Sequence, residues 1–165
     1  MALEPIVRRA RPSDAVAISQ LNNTFANEGQ MLRRTPEMIA LSIDDYLVVE
    51  DGIGGALLAC GALKEYSPSV AEIAAVAVRR SAHGHGLGRA VVTAVEELAR
   101  KRGIYDVFAL TLQPDFFAAM DYHRVDRARY PEKIRRDCLG CARRFACNEI
   151  CVAKTLLVAE AQRAA

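Results

Sequence analysis

The sequence predicts an α+β protein with a mixed, mostly antiparallel central sheet of about six to seven strands flanked by helices. Three observations support this prediction. Short apolar segments separated by turn residues precede residue 71, as is typical of an antiparallel meander. A strand, a glycine-rich turn and a helix then follow one another between Ala71 and Arg102. The next apolar segment can pair only after a crossover, which favours one parallel strand pair.

The stretch from Ala71 to Arg102 joins an apolar strand to an amphipathic helix. Ala71 to Val78 is short, apolar and partly β-branched, which suits a buried strand. From Ala90 onward the apolar residues recur at helical spacing, with charged residues off the stripe. Gly103 follows a basic last turn, where a helix is expected to stop.

Two helices are predicted between the first strand, Ile6 to Arg9, and the meander. Ser13 or Asp14 can cap the first helix, and Thr35 followed by Pro36 is a strong start for the second. The apolar residues expected to carry these helices inward are Val16, Ile18, Leu21 and Phe25 in the first and Ile39, Leu41 and Ile43 in the second.

The remaining strands follow from apolar runs bounded by turn residues. Tyr46 to Glu50 and Ile53 to Glu65 are joined by the turn signal Asp51-Gly52. After the long helix, Asp106 to Leu112 is the predicted fifth strand, parallel to the fourth. The predicted elements that close the chain are a short helix from Pro114, a sixth strand from Val125 and a last strand from Val152 to Val158.

Composition indicates one folded domain spanning residues 1–165. The chain has 52% hydrophobic and 25% charged residues, and its net charge of +2 favours no class of partner. The sequence shows neither an apolar signal region nor a membrane-spanning run, so we expect a cytoplasmic protein. In that compartment the five cysteines are expected to be reduced, metal-bound or reactive.

Gly84, Gly86 and Gly88 fall at alternate positions in the turn before the long helix. The first amides of a helix lack internal partners and carry partial positive charge, and glycines let an anion approach them. The turn therefore predicts a phosphate site, with an ordinary tight connection as the alternative. The G-x-G-x-G spacing excludes the dinucleotide fingerprint, and the absence of Gly-Lys before Ser or Thr excludes the P-loop.

The loop from His83 to Gly88 resembles motif A of the GNAT N-acetyltransferases, with His83 where that family has Arg or Gln. The order of predicted elements is similar to the same family over nearly the whole chain. The resemblance implies an acetyl-CoA-dependent enzyme whose cosubstrate lies in the cleft where strands 4 and 5 splay. Its loop amides would grip the pyrophosphate, and the preceding strand would pair with the pantetheine arm. The implied cofactor-binding positions are Val76, Ala77, Val78, His83, Gly84, His85, Gly86, Leu87, Gly88, Arg89 and Phe117.

Several fragments resemble, in order, the short single-domain N-acetylglutamate synthases of bacterial arginine biosynthesis. The most specific is Pro131–Lys133 leading into Cys138–Cys141. The chain departs from these proteins at Ala74, where they usually have Arg, and at Asp121-Tyr122, where they have Gly-Phe. The other matching fragments are Leu32–Thr35, Cys60–Leu63, Ala71–Ile73, and Leu110-Thr111 with Phe116-Phe117. The resemblance implies L-glutamate as the acceptor amine. The absence of a long apolar run predicts no membrane partner, the low net charge disfavours nucleic acid, and a homodimer stays open.

Acetyl transfer to an amine needs a base, a way to polarise the thioester and a proton for the leaving thiolate. Glu72 on the central strand is the candidate base, and a structural carboxylate is the alternative. Amides near Ala77 and Val78 would polarise the thioester carbonyl. Phe117 stands where many GNAT enzymes have a tyrosine acid, so the thiolate is expected to leave unassisted or to take a proton from water.

Arg34, Lys133 and Thr111 are the candidate substrate-binding residues. Arginine offers a planar fork that matches a carboxylate and lysine offers a point charge, so Arg34 and Lys133 could meet the two carboxylates of glutamate. Solvation at the surface is the alternative for each.

Cys138, Cys141, Cys147 and Cys151 form a C-x2-C-x5-C-x3-C pattern. Four thiols so close together could hold a structural zinc ion, and an iron–sulfur cluster or metal-free thiols are the alternatives. The same segment is rich in Lys and Arg. This basic character keeps open a second class of function, a non-catalytic module that binds acetyl-CoA or nucleic acid. An acetyltransferase for another small amine is the further alternative.

Overall fold

The computed structural model describes residues 2–144 and 146–157. Within these described residues, seven strands form one sheet in the order β1-β2-β3-β4-β5-β7-β6, which confirms the predicted mixed sheet. In chain order they are β1 Pro5–Arg9, β2 Tyr46–Asp51, β3 Leu57–Glu65, β4 Val70–Val78, β5 Asp106–Thr111, β6 His123–Arg124 and β7 Ile150–Thr155.

Five α-helical segments accompany the sheet: α1 Ala15–Ala26, α2 Pro36–Leu41, α3 Leu87–Lys101, α4 Pro114–Ala118 and α5 Pro131–Lys133. The last of these continues into a π-helical turn at Ile134–Cys138. Thr35 caps α2 as predicted, because its side chain accepts a hydrogen bond from the Met38 amide. No helix in residues 2–144 and 146–157 has both the length and the apolar character needed to cross a bilayer.

The strand pairing contains the predicted parallel step. β1 and β2 pair antiparallel, as do β2 and β3 and, farther along the sheet, β5 with β7 and β6 with β7. β4 and β5 are parallel and pair only through Val70–Glu72 and Asp106–Phe108. Because β4 continues to Val78, its second half runs past the last paired residue, as the predicted separation of strands 4 and 5 requires.

Three strands begin two or more residues away from their predicted starts. β3 begins at Leu57 rather than Ile53, because residues 52–56 form a turn in which Gly55 has a φ of 69°. β6 precedes Val125, whose amide still donates to the Cys151 carbonyl at 3.0 Å. β7 begins two residues earlier than predicted, at Ile150, and Val158 lies outside the described residues.

Contacts divide the chain into two compact units, the first of which contains residues 2–64 and 73–98. Its core includes Ile18 and Phe25 of α1, Ile39 of α2 and Val48 of β2. Val16 and Leu41, predicted to point inward, are instead 56% and 91% exposed. The inward face of α1 carries buried Ser19 and Asn22 in addition to its apolar residues.

The valines of α3 form a second buried surface in the first unit. Val91, Val92 and Val95 are fully buried. A Cβ placed at Gly61 of β3 would lie 3.4 Å from Val95 and 3.5 Å from Val91. The helix therefore packs closely over this glycine, which fixes the start of α3 and the loop before it.

The second unit contains residues 65–72 and 99–157 and has an aromatic centre. Phe108 of β5 is fully buried. Its ring stacks on Tyr130 with 3.9 Å between centroids and tilts against Tyr66 at 5.7 Å. Cys151 and Ala153 of β7 complete this cluster. Tyr130 therefore fixes the chain just before α5 against the sheet.

Candidate active site

The glycine-rich loop has the geometry of an anion site. Gly84 and Gly86 have φ values of 81° and 73°, which side-chain-bearing residues rarely adopt. A Cβ at either position would meet no atom within 4 Å. Glycine is thus required there by the backbone conformation rather than by crowding. The Ala90 amide donates to the Gly86 carbonyl at 3.0 Å, so the amides from Leu87 to Arg89 are the orphan donors of the helix start.

His83 anchors the loop to its surroundings. Its Nε2 lies 2.8 Å from the Val78 carbonyl oxygen, and its ring stacks on Phe25 with 6.5 Å between centroids. The Arg80 guanidinium lies over the Phe25 ring, 5.3 Å from its centroid, and forms an ion pair with Glu28. The loop is therefore tied to α1 before its glycines begin. The Leu87 side chain is buried, so only its backbone is available to a ligand.

Ala75 kinks the central strand. Its φ of 54° is in the left-handed region, which is uncommon for a residue in a strand. The Cys60 thiol lies 3.5 Å from the Ala75 carbonyl oxygen, and burial raises the pKa of that thiol to about 12. The protonated thiol can therefore donate to the carbonyl. The kink directly precedes Val76, Ala77 and Val78, the predicted amide donors.

Glu72 lies at the centre of a buried polar cluster in the second unit. Its side chain is 9% exposed, and its Oε2 is 2.8 Å from Lys133 Nζ. The Tyr66 hydroxyl lies 3.0 Å from the same oxygen and also contacts Asp137. Lys133 Nζ is 3.2 Å from Asp137 Oδ2. The hydrogen bond from Tyr66 and the ion pair with Lys133 thus both fall on Oε2 of Glu72.

The charges of this cluster determine its protonation. Burial opposes the charged form of Lys133, but Glu72 and Asp137 outweigh this effect and raise its pKa. Burial, followed by the charge of Glu72 and the contact with Asp137, also raises the pKa of Tyr66. Lysine is therefore cationic and tyrosine neutral near pH 7. Burial also raises the pKa of Glu149, and the charge of Glu72 raises it further.

The structure brings together two residues for which the sequence predicted separate tasks. Lys133 was expected to meet a substrate carboxylate, but it has two carboxylate partners within the chain. Tyr66 and Asp137 were missed by the sequence analysis. A signal existed for Asp137, because it lies four residues after Lys133, the spacing of a helical ion pair. Tyr66 follows β3 in a hairpin, and no local pattern distinguishes it.

Arg34 differs from Lys133 in its charged partners. It is half-buried, and among residues 2–144 and 146–157 no carboxylate forms an ion pair with it. Burial raises the pKa of Tyr46, and the charge of Arg34 and a hydrogen bond from it partly offset that rise. The guanidinium therefore lies beside a buried hydroxyl and not beside a described carboxylate.

Phe117 and Thr111 have structural contacts in the second unit. Phe117 is buried and packs edge-on against Phe116 and Tyr122, with 5.1 and 5.0 Å between ring centroids. Thr111 Oγ1 accepts a hydrogen bond from the Gln113 amide at 2.8 Å, which starts the turn into α4. These contacts favour packing for Phe117 over a contact with the cofactor.

The four clustered cysteines do not form a coordination group. Among the described residues, no three His, Cys, Asp or Glu side chains are placed to hold one metal ion. Cys151 is buried in β7 within the aromatic centre, and the Arg127 guanidinium donates to Cys147 Sγ at 3.4 Å. The four cysteines are close in sequence, but β7 holds the Cys151 thiol within the aromatic centre. Cys138 and Cys141 remain half-buried free thiols.

Several basic side chains of the same segment are engaged locally. Arg127 donates to the Glu149 carbonyl, and Arg144 to the Leu139 carbonyl. Arg135 forms an ion pair with Glu132, and Arg129 with Asp106. These contacts use the positive charge within the fold, so they do not favour the alternative of a nucleic-acid-binding module.

Comparison with known proteins agrees with this geometry. The Acetyltransferase (GNAT) family matches residues 16–126. A protein of Chlorobaculum tepidum described as an uncharacterized N-acetyltransferase is 39% identical over 155 residues, covering 94% of this chain and 99% of that protein. An amino-acid acetyltransferase of Mycobacterium tuberculosis is 34% identical over 123 residues, covering 74% of this chain and 70% of that protein.

Solved structures are also similar. A Mycobacterium tuberculosis protein in complex with CoA and a second ligand has a TM-score of 0.80 and 28% identity, covering 92% of this chain and 99% of that chain. N-acetylglutamate synthase from Neisseria gonorrhoeae, complexed with coenzyme A and N-acetyl-glutamate, has a TM-score of 0.83 and 26% identity. That match covers 95% of this chain but only 36% of the longer synthase.

Replacing Lys133 by Met should remove the only described cation paired with Glu72. Breaking a buried ion pair costs about 3–5 kcal/mol of unfolding free energy. The Lys133 pKa is raised, so its contribution is fully present below the ordinary value of 10.5 and is lost only as pH rises through the folded-state pKa. Urea unfolding should therefore show the same deficit at pH 7 and at pH 9.

The matched control is Lys101→Met at the exposed end of α3, which should change stability by less than about 0.5 kcal/mol. A Lys133→Met deficit that shrinks between pH 7 and pH 9 would show that Lys133 deprotonates in that range, which contradicts the pairing.

Proposed function

The chain belongs to the Acetyltransferase (GNAT) family, and from this premise we propose that it transfers the acetyl group of acetyl-CoA to the α-amine of L-glutamate. The coarser activity, acetyl-CoA-dependent N-acetyl transfer, is that of the family. The acceptor is our inference. Its product would be N-acetylglutamate, which the resemblance assigns to arginine biosynthesis. Residues 1–165 would serve this reaction as one acetyltransferase domain.

The observation that carries the acidic acceptor is the state of Arg34. A half-buried guanidinium without a carboxylate partner among the described residues is suited to an anionic ligand. Two comparisons support an amino acid as that ligand: a relative named amino-acid acetyltransferase and a structural neighbour bound to N-acetyl-glutamate. Arg34 would bind one carboxylate of glutamate through its planar fork.

Lys133 takes a different task in this proposal. Because it is paired with Glu72 and Asp137, it balances the charge of the base rather than binding the substrate. A carboxylate held by lysine and tyrosine on Oε2 has a fixed orientation, and Oε1 is presented for proton transfer. Glu72 would thus receive a proton from the acceptor ammonium, directly or through one water.

The proposed reaction then balances in three steps. The neutral acceptor nitrogen attacks the thioester carbonyl carbon, and the carbonyl oxygen gains negative charge, which the amides near Ala77 and Val78 would stabilise. The carbon–nitrogen bond forms in this addition, and the carbon–sulfur bond breaks when the oxyanion re-forms the carbonyl and expels the thiolate. The second nitrogen proton passes to the departing thiolate, and Glu72 returns its proton to solvent.

Acetyl-CoA would be held through its pyrophosphate by the amides between His83 and Arg89. The left-handed glycines orient these amides, and the contacts of His83 fix the loop. Gly86 is a suitable position for a test. A Cβ added there would enter open space, so a substitution would disturb only the backbone conformation.

Gly86→Val should weaken acetyl-CoA binding while the domain stays folded. Gly55→Val is the matched control, because Gly55 also has a positive φ and open space around its Cβ, but lies in the β2–β3 turn. Both variants should lose about 1–2 kcal/mol of stability from left-handed strain. Calorimetric titration should show reduced affinity only for Gly86→Val, and equal affinity in the two variants would refute the loop assignment.

Glu72→Gln should lower kcat by about 10²–10⁴-fold, the usual contribution of a general base, with unchanged affinity for acetyl-CoA. Asp137→Asn is the control, because it removes the other carboxylate of the same cluster, and we expect it to lower kcat less than about tenfold. Steady-state kinetics distinguish the two. A loss of only a few-fold in Glu72→Gln would assign Glu72 a structural role.

Among glutamate, glutamine, aspartate and ornithine, glutamate should have the highest kcat/KM. With Arg34 assigned to the side-chain carboxylate, which glutamine lacks, Arg34→Gln should lower the value for glutamate by about 10–100-fold and leave that for glutamine within a few-fold. Release of free thiol from acetyl-CoA gives all rates in one assay. If another of the four is preferred, the acetyltransferase assignment stands and glutamate as the acceptor is wrong.

A further inference from the structure

The segment that carries Arg34 is held by polar side chains of α1. Ser19 Oγ donates to the Arg34 carbonyl at 2.7 Å, and Asn23 Nδ2 donates to the same oxygen at 3.0 Å. The Arg34 amide in turn donates to Asn23 Oδ1 at 3.0 Å. Asn22 Nδ2 donates to the Leu32 carbonyl at 2.9 Å. Both backbone polar groups of Arg34 are thus bound by one helix.

These three residues lie on the inward side of a helix that the sequence predicts to be apolar there. Ser19 is 5% exposed and Asn22 is fully buried. Their positions, with Asn23, follow the three- and four-residue spacing of a single helical face. The helix therefore presents a polar strip within its buried face, and that strip ends on the segment from Leu32 to Arg34.

Stability alone does not account for this strip. Asn22 Oδ1 is buried and has no hydrogen-bond partner among the described atoms. A buried acceptor without a partner is destabilising, and an apolar residue of similar size at position 22 would avoid that cost. The asparagine gains only its bonds to Leu32 and Asn23. We therefore attribute these polar residues of α1 to the backbone conformation that they fix between Leu32 and Arg34.

We propose that Ser19, Asn22 and Asn23 are positioning residues that set the guanidinium of Arg34 for an acidic acceptor. This inference rests on the proposed function, because it assigns the specificity of the same site to side chains that hydrogen-bond the backbone around Arg34. Fixing the Arg34 backbone from both its amide and its carbonyl leaves only the side-chain torsions free. The guanidinium charge acts on the Tyr46 hydroxyl, so the Arg34 side chain has a partner at its far end as well.

Preorganisation of this kind affects binding of one substrate more than the chemical step. Asn23 contributes two of the hydrogen bonds to Arg34 and is the position to change. Asn23→Ala should raise KM for glutamate about 5–20-fold and leave kcat and KM for acetyl-CoA within about twofold. It should also lower the preference for glutamate over glutamine.

The decisive measurement is a double-mutant cycle of Asn23→Ala with Arg34→Gln. If Asn23 acts through Arg34, then Asn23→Ala should change KM for glutamate by less than about twofold once Arg34 is already Gln. Thr24→Ala is the matched control: Thr24 is exposed on the same helix, its hydroxyl bonds only the Gln20 carbonyl, and it should behave as wild type.

The cycle has three outcomes that would contradict the inference. Additive effects of the two substitutions would show that Asn23 acts on the fold in general and would overturn the inference. An effect of Arg34→Gln without any effect of Asn23→Ala would overturn it too, while leaving the proposed function intact. No effect of Arg34→Gln in an active enzyme would refute the carboxylate role of Arg34 and this inference together. Should Asn23→Ala not fold, Ser19→Ala carries the same cycle.

Discussion

A carboxylate on a buried strand needs a counter-charge. The counter-charge of Glu72 is Lys133, and the position of the turn that carries Lys133 depends on this ion pair. Removing an ion from water costs several kcal/mol unless it is paired and hydrogen-bonded. Tyr130 packs on Phe108 and brings the chain to the sheet, and Lys133, three residues later, reaches Glu72. Asp137 and Tyr66 complete the cluster. The turn from Pro131 to Cys138 is thus placed by one aromatic contact and one charge.

Arg34 and Lys133 show what a sequence can and cannot indicate about a cation. Both follow from the same resemblance, and both residue types suit a carboxylate. The structure separates them, because Lys133 pairs with acids on a strand and on its own turn, whereas the Arg34 guanidinium forms no ion pair with a carboxylate among the described residues. Partners distant in sequence decide this difference. Glu72 lies sixty-one residues before Lys133, and no local sequence pattern connects them.

The parts of the fold that were predicted are those with local causes. The strand, glycine turn and long helix follow from apolar spacing and from glycines that the backbone requires, and the cap of α2 follows from Thr35. The place of β7 between β5 and β6 was not predicted, because register between distant strands depends on tertiary packing. The same placement removes Cys151 from the cysteine pattern. Polar residues on the buried face of α1 were missed because an apolar stripe accounts for only part of that face.

The insertion of β7 also constrains the order in which the protein can fold during synthesis. β5 ends at Thr111, but the strand that covers its free edge begins only at Ile150. Until that strand leaves the ribosome, β5 presents unpaired amides and carbonyls beside buried Phe108 and Val107. The first unit has no such dependence, since its residues precede Ala99. The edge of β5 that faces β7 can therefore be paired only after residues 150–155 have been synthesised.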